Sequence, residues 1–417
     1  MRSSPTEPGH GQAARKGVFG EGVQLFDHAK ASRLMEAAGI DLLLPHTTLN
    51  AGYLADFYFY NVANMPYYLS EDQELYTFFV GLPADPSLEP FLLGRTGGNA
   101  FDLGYIDPWI KDRYLFGPVE PREVRVAPAR SWRPVSPMPV DAAALAIKDR
   151  GLEGATIGVE MPWLGASILA GLQERLPRAR FVDATGLFAK LRLIKSPEEI
   201  RRLEVAADAA RRTHWRLHSA LREGMTGFDI DRVIQMSFAE QGIANEFREI
   251  HPNRDGAMLF CPSPLRVTRG QSITIDLGGR YLSYVSDMAR NYSVGEPDPA
   301  IIRLHAVMKE SFEAILAECR PGVECSHLYE VGSKAFARSG YQMAYALLGH
   351  GLGRDTHEIP CLAADDHTVL EPGLAFTIEL PMFIPGVGSV QLEDDFVVTE
   401  AGCRALAPSS IDILTVP

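Results

Sequence analysis

The sequence predicts an α+β protein of two folded domains: a smaller α/β domain over 21–188 and a larger α+β domain over 189–417, with 1–20 as a disordered tail. Three observations carry this. Between Val23 and Phe188, short β-like runs alternate with amphipathic helical spacing, the pattern of βαβ units. Next, the segment LRLIKSPEEIRRLEVAADAARRTHWRLHSAL opens a long helix with a strong start signal, which sets a domain boundary. Beyond it the order is helices, hairpin, helices, strands, as in an antiparallel sheet covered by helices.

In the first domain, helical spacing from His28 to Ala38 ends at Gly39, and Asp41 to Leu44 is predicted as a buried strand. Glu74 to Val80 and Pro90 to Leu93 flank the turn-rich Pro83 to Ser87, which predicts a hairpin. Thr156 to Glu160, Ala166 to Leu176 and Arg180 to Asp183 then form a strand, helix, strand unit. Pro118 to Pro139 is rich in proline and arginine and is expected to be an extended surface connection. In the second domain, Ser196 as N-cap, Pro197 at the first helical position and Glu199 form a capping box. Thr226 and Asp229 repeat the arrangement before a helix that ends near Gly242, and Ile301 to Cys319 and His327 to Arg338 are two further helices.

With 417 residues and 46% hydrophobic content, the chain can bury a substantial core in each domain. A net charge of −13 argues against a nucleic-acid partner, which needs a basic face. Nothing approaches the ~18 apolar residues that span a membrane, and the first twenty residues lack the apolar core of a signal peptide. The five cysteines, Cys261, Cys319, Cys325, Cys361 and Cys403, form no CxxC pair, which disfavours a disulfide framework and fits a reducing cytoplasm.

The chemistry centres on QSITIDLGGRYLSYVSDMARNYSV, residues 271–294. Ile273, Ile275 and Leu277 alternate with polar residues, and β-favouring Tyr284, Val285, Tyr292 and Val294 follow a Gly278-Gly279 break, so a hairpin is predicted. A turn centred near Leu282 would set Asp276 opposite Asp287, with Cβ atoms ~5 Å apart. Two carboxylates that close repel unless they share a proton or hold a cation; two solvated aspartates are the bland alternative. Downstream, LLGHGLGRDTHEIP, FTIELPMFI and VQLEDDFVV place His350, His357, Glu379 and Glu393 in glycine-rich or β-like surroundings. Four carboxylates and one imidazole suit Mn²⁺, Co²⁺, Zn²⁺ or Fe²⁺, and two divalent ions balance four negative charges.

LRLIKSPEEI, Asp276 and Asp287 eleven residues apart, GHGLG with His357, LEPGLAFTIE and LEDDFVVTEAG together resemble the pita-bread family of aminopeptidase P, prolidase and creatinase. AGIDLLLPHTTLNAGYLADF is similar to the family's smaller creatinase-type domain. The resemblance implies a pita-bread catalytic domain over 189–417 and a homodimer. It implies metal ligands Asp276, Asp287, His350, Glu379 and Glu393, with Asp287 and Glu393 bridging two divalent ions, manganese foremost. Glu379 is implied as the base and His357 as a catalytic histidine near the substrate. Two positions depart from the family: Phe260 stands where its peptidases carry a proton-shuttling histidine, and Gln391 where an arginine is usual.

The leading expectation is a dinuclear metallohydrolase of amide or peptide bonds in small substrates or short peptides, resembling Xaa-Pro peptidases. The two departures keep other readings open: an ectoine-hydrolase- or creatinase-like amidohydrolase, a lyase like the pita-bread dimethylsulfoniopropionate lyase, or a non-catalytic binding module. Arg354, Tyr284 and Phe260 are the expected substrate contacts. Arg354 could hold an anionic substrate, or else pair with Asp355 or Glu358 on the surface.

Overall fold

The computed structural model describes residues 22–57, 78–95, 108–117, 136–251, 262–338, 340–341 and 346–417. The expected tail, the first part of the expected strand at 74–80, most of the proline-rich connection and Phe260 lie outside these residues. The chain divides into two compact units, Met1–Phe188 and Ala189–Pro417.

The first unit runs α1 (His28–Ala38), β1 (Leu42–Leu43), α2 (Asn50–Ala55), β2 (Val80–Pro83), β3 (Phe91–Arg95), β4 (Asp112–Phe116), α3 (Pro139–Lys148), β5 (Thr156–Val159), α4 (Ala166–Arg175) and β6 (Arg180–Asp183); α5 (Thr185–Arg192) leads out of it. Asp27 caps α1 by accepting the Ala29 N–H, and Gly39 ends it at φ 63°, a left-handed conformation that glycine adopts without strain. The sheet order is β4-β3-β2-β1-β5-β6. β2 and β3 form the expected antiparallel hairpin, and β5 and β6 pair in parallel around α4 as the expected βαβ unit. The proline-rich stretch gives way at Pro139 to α3 and not to more extended chain. This helix is apolar on most of its circumference, so no amphipathic period marks it.

The second unit contains α6 (Pro197–Ala220), α7 (Gly227–Glu240), β7 (Ala244–His251), β8 (Ser272–Tyr281), β9 (Tyr284–Val285), β10 (Met288–Val294), α8 (Pro299–Glu318), α9 (Cys325–Ala337), β11 (Leu347–Gly351), β12 (Glu358–Ala363), β13 (Ala375–Ile384), β14 (Gly388–Thr399), β15 (Gly402–Ala405) and β16 (Leu414–Val416). Both capping boxes form: Ser196 with Glu199 opens α6, and Thr226 with Asp229 opens α7. The main path of the sheet is β12-β11-β13-β14-β10-β8-β7, antiparallel throughout. The last strand, β16, pairs in parallel with β10.

Strand alternation gives this sheet two unlike faces. Phe376, Ile378, Leu392 and Phe396 pack with Leu304, Phe312, Ile315 and Leu328 of α8 and α9. Each such fully buried side chain contributes roughly 1.5–3 kcal/mol. Thr377, Glu379, Glu393 and Asp395 occupy the opposite face.

The central hairpin differs from expectation in two ways. β8 passes through Gly278-Gly279 without a break; a Cβ on Gly278 would stand 2.3 Å from the Phe247 ring, so the glycine permits close strand approach. The turn is Leu282-Ser283, both at positive φ (46° and 73°), the geometry of a two-residue hairpin loop. Tyr281 therefore pairs with Tyr284, and Asp276 pairs with Ala289 and not with Asp287.

Candidate active site

The register places five residues in one row across five strands: Glu379 pairs with Glu393, Glu393 with Ala289, Ala289 with Asp276, and Asp276 with Glu249. Directly paired residues on antiparallel strands share a face, so four carboxylates project from the face opposite α8 and α9. Ala289 leaves the middle of the row open. Asp287, just before β10, is buried beside the row, with Oδ2 3.7 Å from His350 Nε2.

β11 adds the imidazole. Its approach to β13 needs Gly349, at φ 147°, because a Cβ there would lie 2.1 Å from the Thr377 carbonyl oxygen. His350 Nδ1 donates to the Gly351 carbonyl, 3.1 Å away, which leaves Nε2 as the lone-pair nitrogen. Nε2 lies 3.5 Å from Glu379 Oε2 and 3.7 Å from both Asp287 Oδ2 and Glu393 Oε1. Donor atoms of Asp287, His350 and Glu393 all fall within 4.8 Å of one another.

Gln391 Nε2 lies 2.9 Å from Asp276 Oδ2 and 3.3 Å from both Glu379 Oε1 and Glu393 Oε2. A neutral amide thus fills the position beside the carboxylates where the family usually has a cation. Burial first, and then mutual repulsion, pushes the carboxyls of Asp276, Asp287 and Glu393 well above the usual carboxylate range. Among the described residues, Asp276 Oδ1, Asp287 Oδ1, His350 Nε2 and Glu393 Oε1 are buried without a hydrogen-bond partner. Buried polar atoms are costly unless satisfied, and four converging O and N donors of this kind fit divalent cations.

Buried groups behind the row hold it in place. Asp395 accepts the Asp287 N–H, at 3.2 and 3.1 Å from its two oxygens. Arg290 Nη1 donates to the carbonyls of Ala289 and Glu393, both at 2.8 Å, and its Nη2 pairs with Asp394 at 2.6 Å. Sequence reasoning missed Asp395, Arg290 and Glu249. The signal for Asp395 was the third acidic residue of LEDDFVV, an unusual run for a strand; Glu249 carried no signal before β7 was registered on β8.

His357 lies against His350, with ring centroids 4.1 Å apart and ring planes tilted by 41°, and is exposed. Partial burial and the neighbouring His350 lower its pKa. Its loop is fastened by Glu358, which accepts from Arg192 Nε (3.2 Å), Lys195 Nζ (3.3 Å) and the N–H groups of Arg354 (3.2 Å) and Asp355 (3.4 Å). Tyr284 and Arg354, expected as substrate contacts, both lie in the interior. Tyr284 is completely buried and donates its hydroxyl to Glu199, 2.9 Å away. The Arg354 guanidinium is buried over the Tyr284 ring, 5.6 Å from its centroid, and does not lie on the surface.

A carboxylate row completed by one imidazole is a donor set fit for divalent metal ions, and comparison with known proteins supplies the family. Residues 198–400 match metallopeptidase family M24, and residues 112–194 match the creatinase/prolidase N-terminal domain. The chain is 28% identical over 277 residues to a Xaa-Pro dipeptidase of Lactobacillus helveticus, covering 65% of this chain and 75% of that one. It is 30% identical over 282 residues to the protein named Probable dipeptidase PepE of Mycobacterium tuberculosis, covering 64% and 74%. The fold is shared with a Xaa-Pro dipeptidase from Bacillus anthracis, TM-score 0.74 at 23% identity, over 93% of this chain and 99% of that one. The chain belongs to metallopeptidase family M24, with the pita-bread fold, and is a hydrolase.

Proposed function

We propose that this enzyme hydrolyses the peptide bond of Xaa-Pro dipeptides or similarly short peptides, using two divalent ions, manganese foremost. The observation that carries the reading is the convergence of the cross-strand row with Asp287 and His350, which among the described residues brings together four buried, unpartnered donor atoms. Asp276, Asp287, His350, Glu379 and Glu393 would hold the ions, which supply Lewis acidity that acidifies water and polarises a carbonyl oxygen. Glu379, with its side chain 18% exposed, is the ligand carboxylate most accessible from solvent, and it takes up the proton released as water attacks. His357, on the open side of His350, donates to the developing negative charge on the carbonyl oxygen. Phe260 and Gln391 leave Glu379 to return the proton to the departing amine.

The relatives' names give no support to the amidohydrolase or lyase alternatives, and the complete donor set speaks against a binding module. A homodimer in a reducing cytoplasm completes the reading; sedimentation measures the first and fractionation the second. Among the described residues, no helix is long and apolar enough to cross a membrane.

The test is hydrolysis of a panel of Xaa-Pro and Xaa-Ala dipeptides by manganese-reconstituted protein, with metal content measured in parallel. Cleavage confined to the proline series, at close to two ions per chain, is expected. Failure to cleave any dipeptide despite full metal occupancy would overturn the assignment.

A further inference from the structure

Glu249 closes the cross-strand row at the end away from Glu379. It pairs directly with Asp276 and shares its face. Neighbouring strands lie ~4.8 Å apart, so Glu249 stands about one strand from the ligand carboxylates without belonging to their cluster. Its side chain is 16% exposed, whereas Asp276, Asp287 and Glu393 are sealed. Among the described residues, its partner is His251 on the same strand, with Nε2 3.5 Å from Glu249 Oε2. The His251 ring meets Phe383 of β13 edge-on, with centroids 5.1 Å apart, so an aromatic wall stands beside the carboxylate.

Charge counting gives this placement a consequence. Two divalent ions would neutralise Asp276, Asp287, Glu379 and Glu393; Glu249 is a fifth carboxylate, and among the described residues no lysine or arginine is paired with it. Among the described residues, the cations nearest in the fold are committed elsewhere or replaced. Arg248 pairs with Asp231, Arg354 lies over Tyr284, and Gln391 is neutral.

We propose that Glu249 is a specificity-determining residue that binds a cationic side chain on the substrate residue Xaa, such as lysine or arginine, beside the wall made by His251 and Phe383. The inference rests on the Xaa-Pro reading and deepens it: a departing proline carries no cationic side chain, so the cation belongs to Xaa. A carboxylate holds an ammonium or guanidinium by charge-assisted hydrogen bonds, and the aromatic wall covers the aliphatic stem.

Metal-reconstituted wild type and Glu249→Gln are compared on Lys-Pro, Arg-Pro and Leu-Pro. Binding of free lysine against norleucine, which lacks the side-chain charge, is measured by calorimetry on the same proteins. Wild type should favour Lys-Pro over Leu-Pro by about tenfold or more in kcat/KM, carried by KM, the size of one charged hydrogen bond. Glu249→Gln should bring the two substrates to within about threefold of each other, and Glu249→Ala should act in the same direction. Metal content should not change. Equal handling of Lys-Pro and Leu-Pro by wild type, or an equal loss on every substrate in both variants, overturns the proposal. Cleavage of no dipeptide at all ends the Xaa-Pro reading instead, and the binding measurement then decides for Glu249: a lysine preference lost in Glu249→Gln supports it, and equal binding of lysine and norleucine overturns it.

Discussion

Glu379 and Glu393 stand directly opposite each other on β13 and β14, and the Gln391 amide bridges them. Two opposed carboxylates on a buried face repel, so the pair is tolerable only with a cation or a shared proton. Glu379 is the more exposed of the two and the one able to exchange protons with solvent. Glu379→Gln is expected to lower kcat by ~10²–10⁴-fold, the range for removing a general base. Steady-state kinetics beside elemental analysis separates lost proton transfer from lost metal.

Asp287 lies at the middle of the donor set, in reach of His350. Asp287→Ala should therefore lose at least one ion and most activity. Ligand binding to the native state alone adds ~2.7 kcal/mol of stability at a hundred times Kd. Melting curves should show wild type, but not Asp287→Ala, rising in Tm with added Mn²⁺; an identical rise in both would remove Asp287 from the metal site.

His357 contacts His350 from the open side without joining the donor cluster. His357→Ala should leave metal content intact and lower kcat more than KM, because a contact that strengthens in the transition state affects kcat. Full kcat in this variant would make the histidine structural.

Glu160 offers a test in the first unit. It accepts from the N–H groups of His46 and Thr47, the Thr47 hydroxyl and the Asn50 amide. Burial alone would raise its pKa, but these donors outweigh burial and hold it at about 2, below the usual 4.5. At 1.36 kcal/mol per pH unit, this stabilises the folded state by on the order of 3 kcal/mol. Because the folded value is depressed, the stabilisation is complete above pH 4.5 and is lost as pH falls towards 2. Thermal unfolding across this window should show that loss in wild type and much less of it in Glu160→Gln, which should start from a lower Tm at pH 7.

The sequence by itself determined the features whose causes are local. The Ser196 and Thr226 capping boxes fix helix starts within four residues, and Gly39 ends a helix by its own left-handed conformation. The candidate ligand set was legible through the resemblance of its motifs to the pita-bread family. Tertiary structure alone decided the register. A turn at Leu282-Ser283 shifts the pairing by two residues, so Ala289 and not Asp287 faces Asp276, a difference the alternation of apolar residues cannot express because it leaves the faces unchanged. It also decided the fate of single side chains: Tyr284 and Arg354 stack in the interior, Gln391 turns its amide onto three carboxylates, and Glu249 joins the row from a strand with no apolar alternation. The physical reason is common to all four: each depends on which residue of a distant strand lies across the sheet, and that is set by the packing of the whole sheet and by no segment of it.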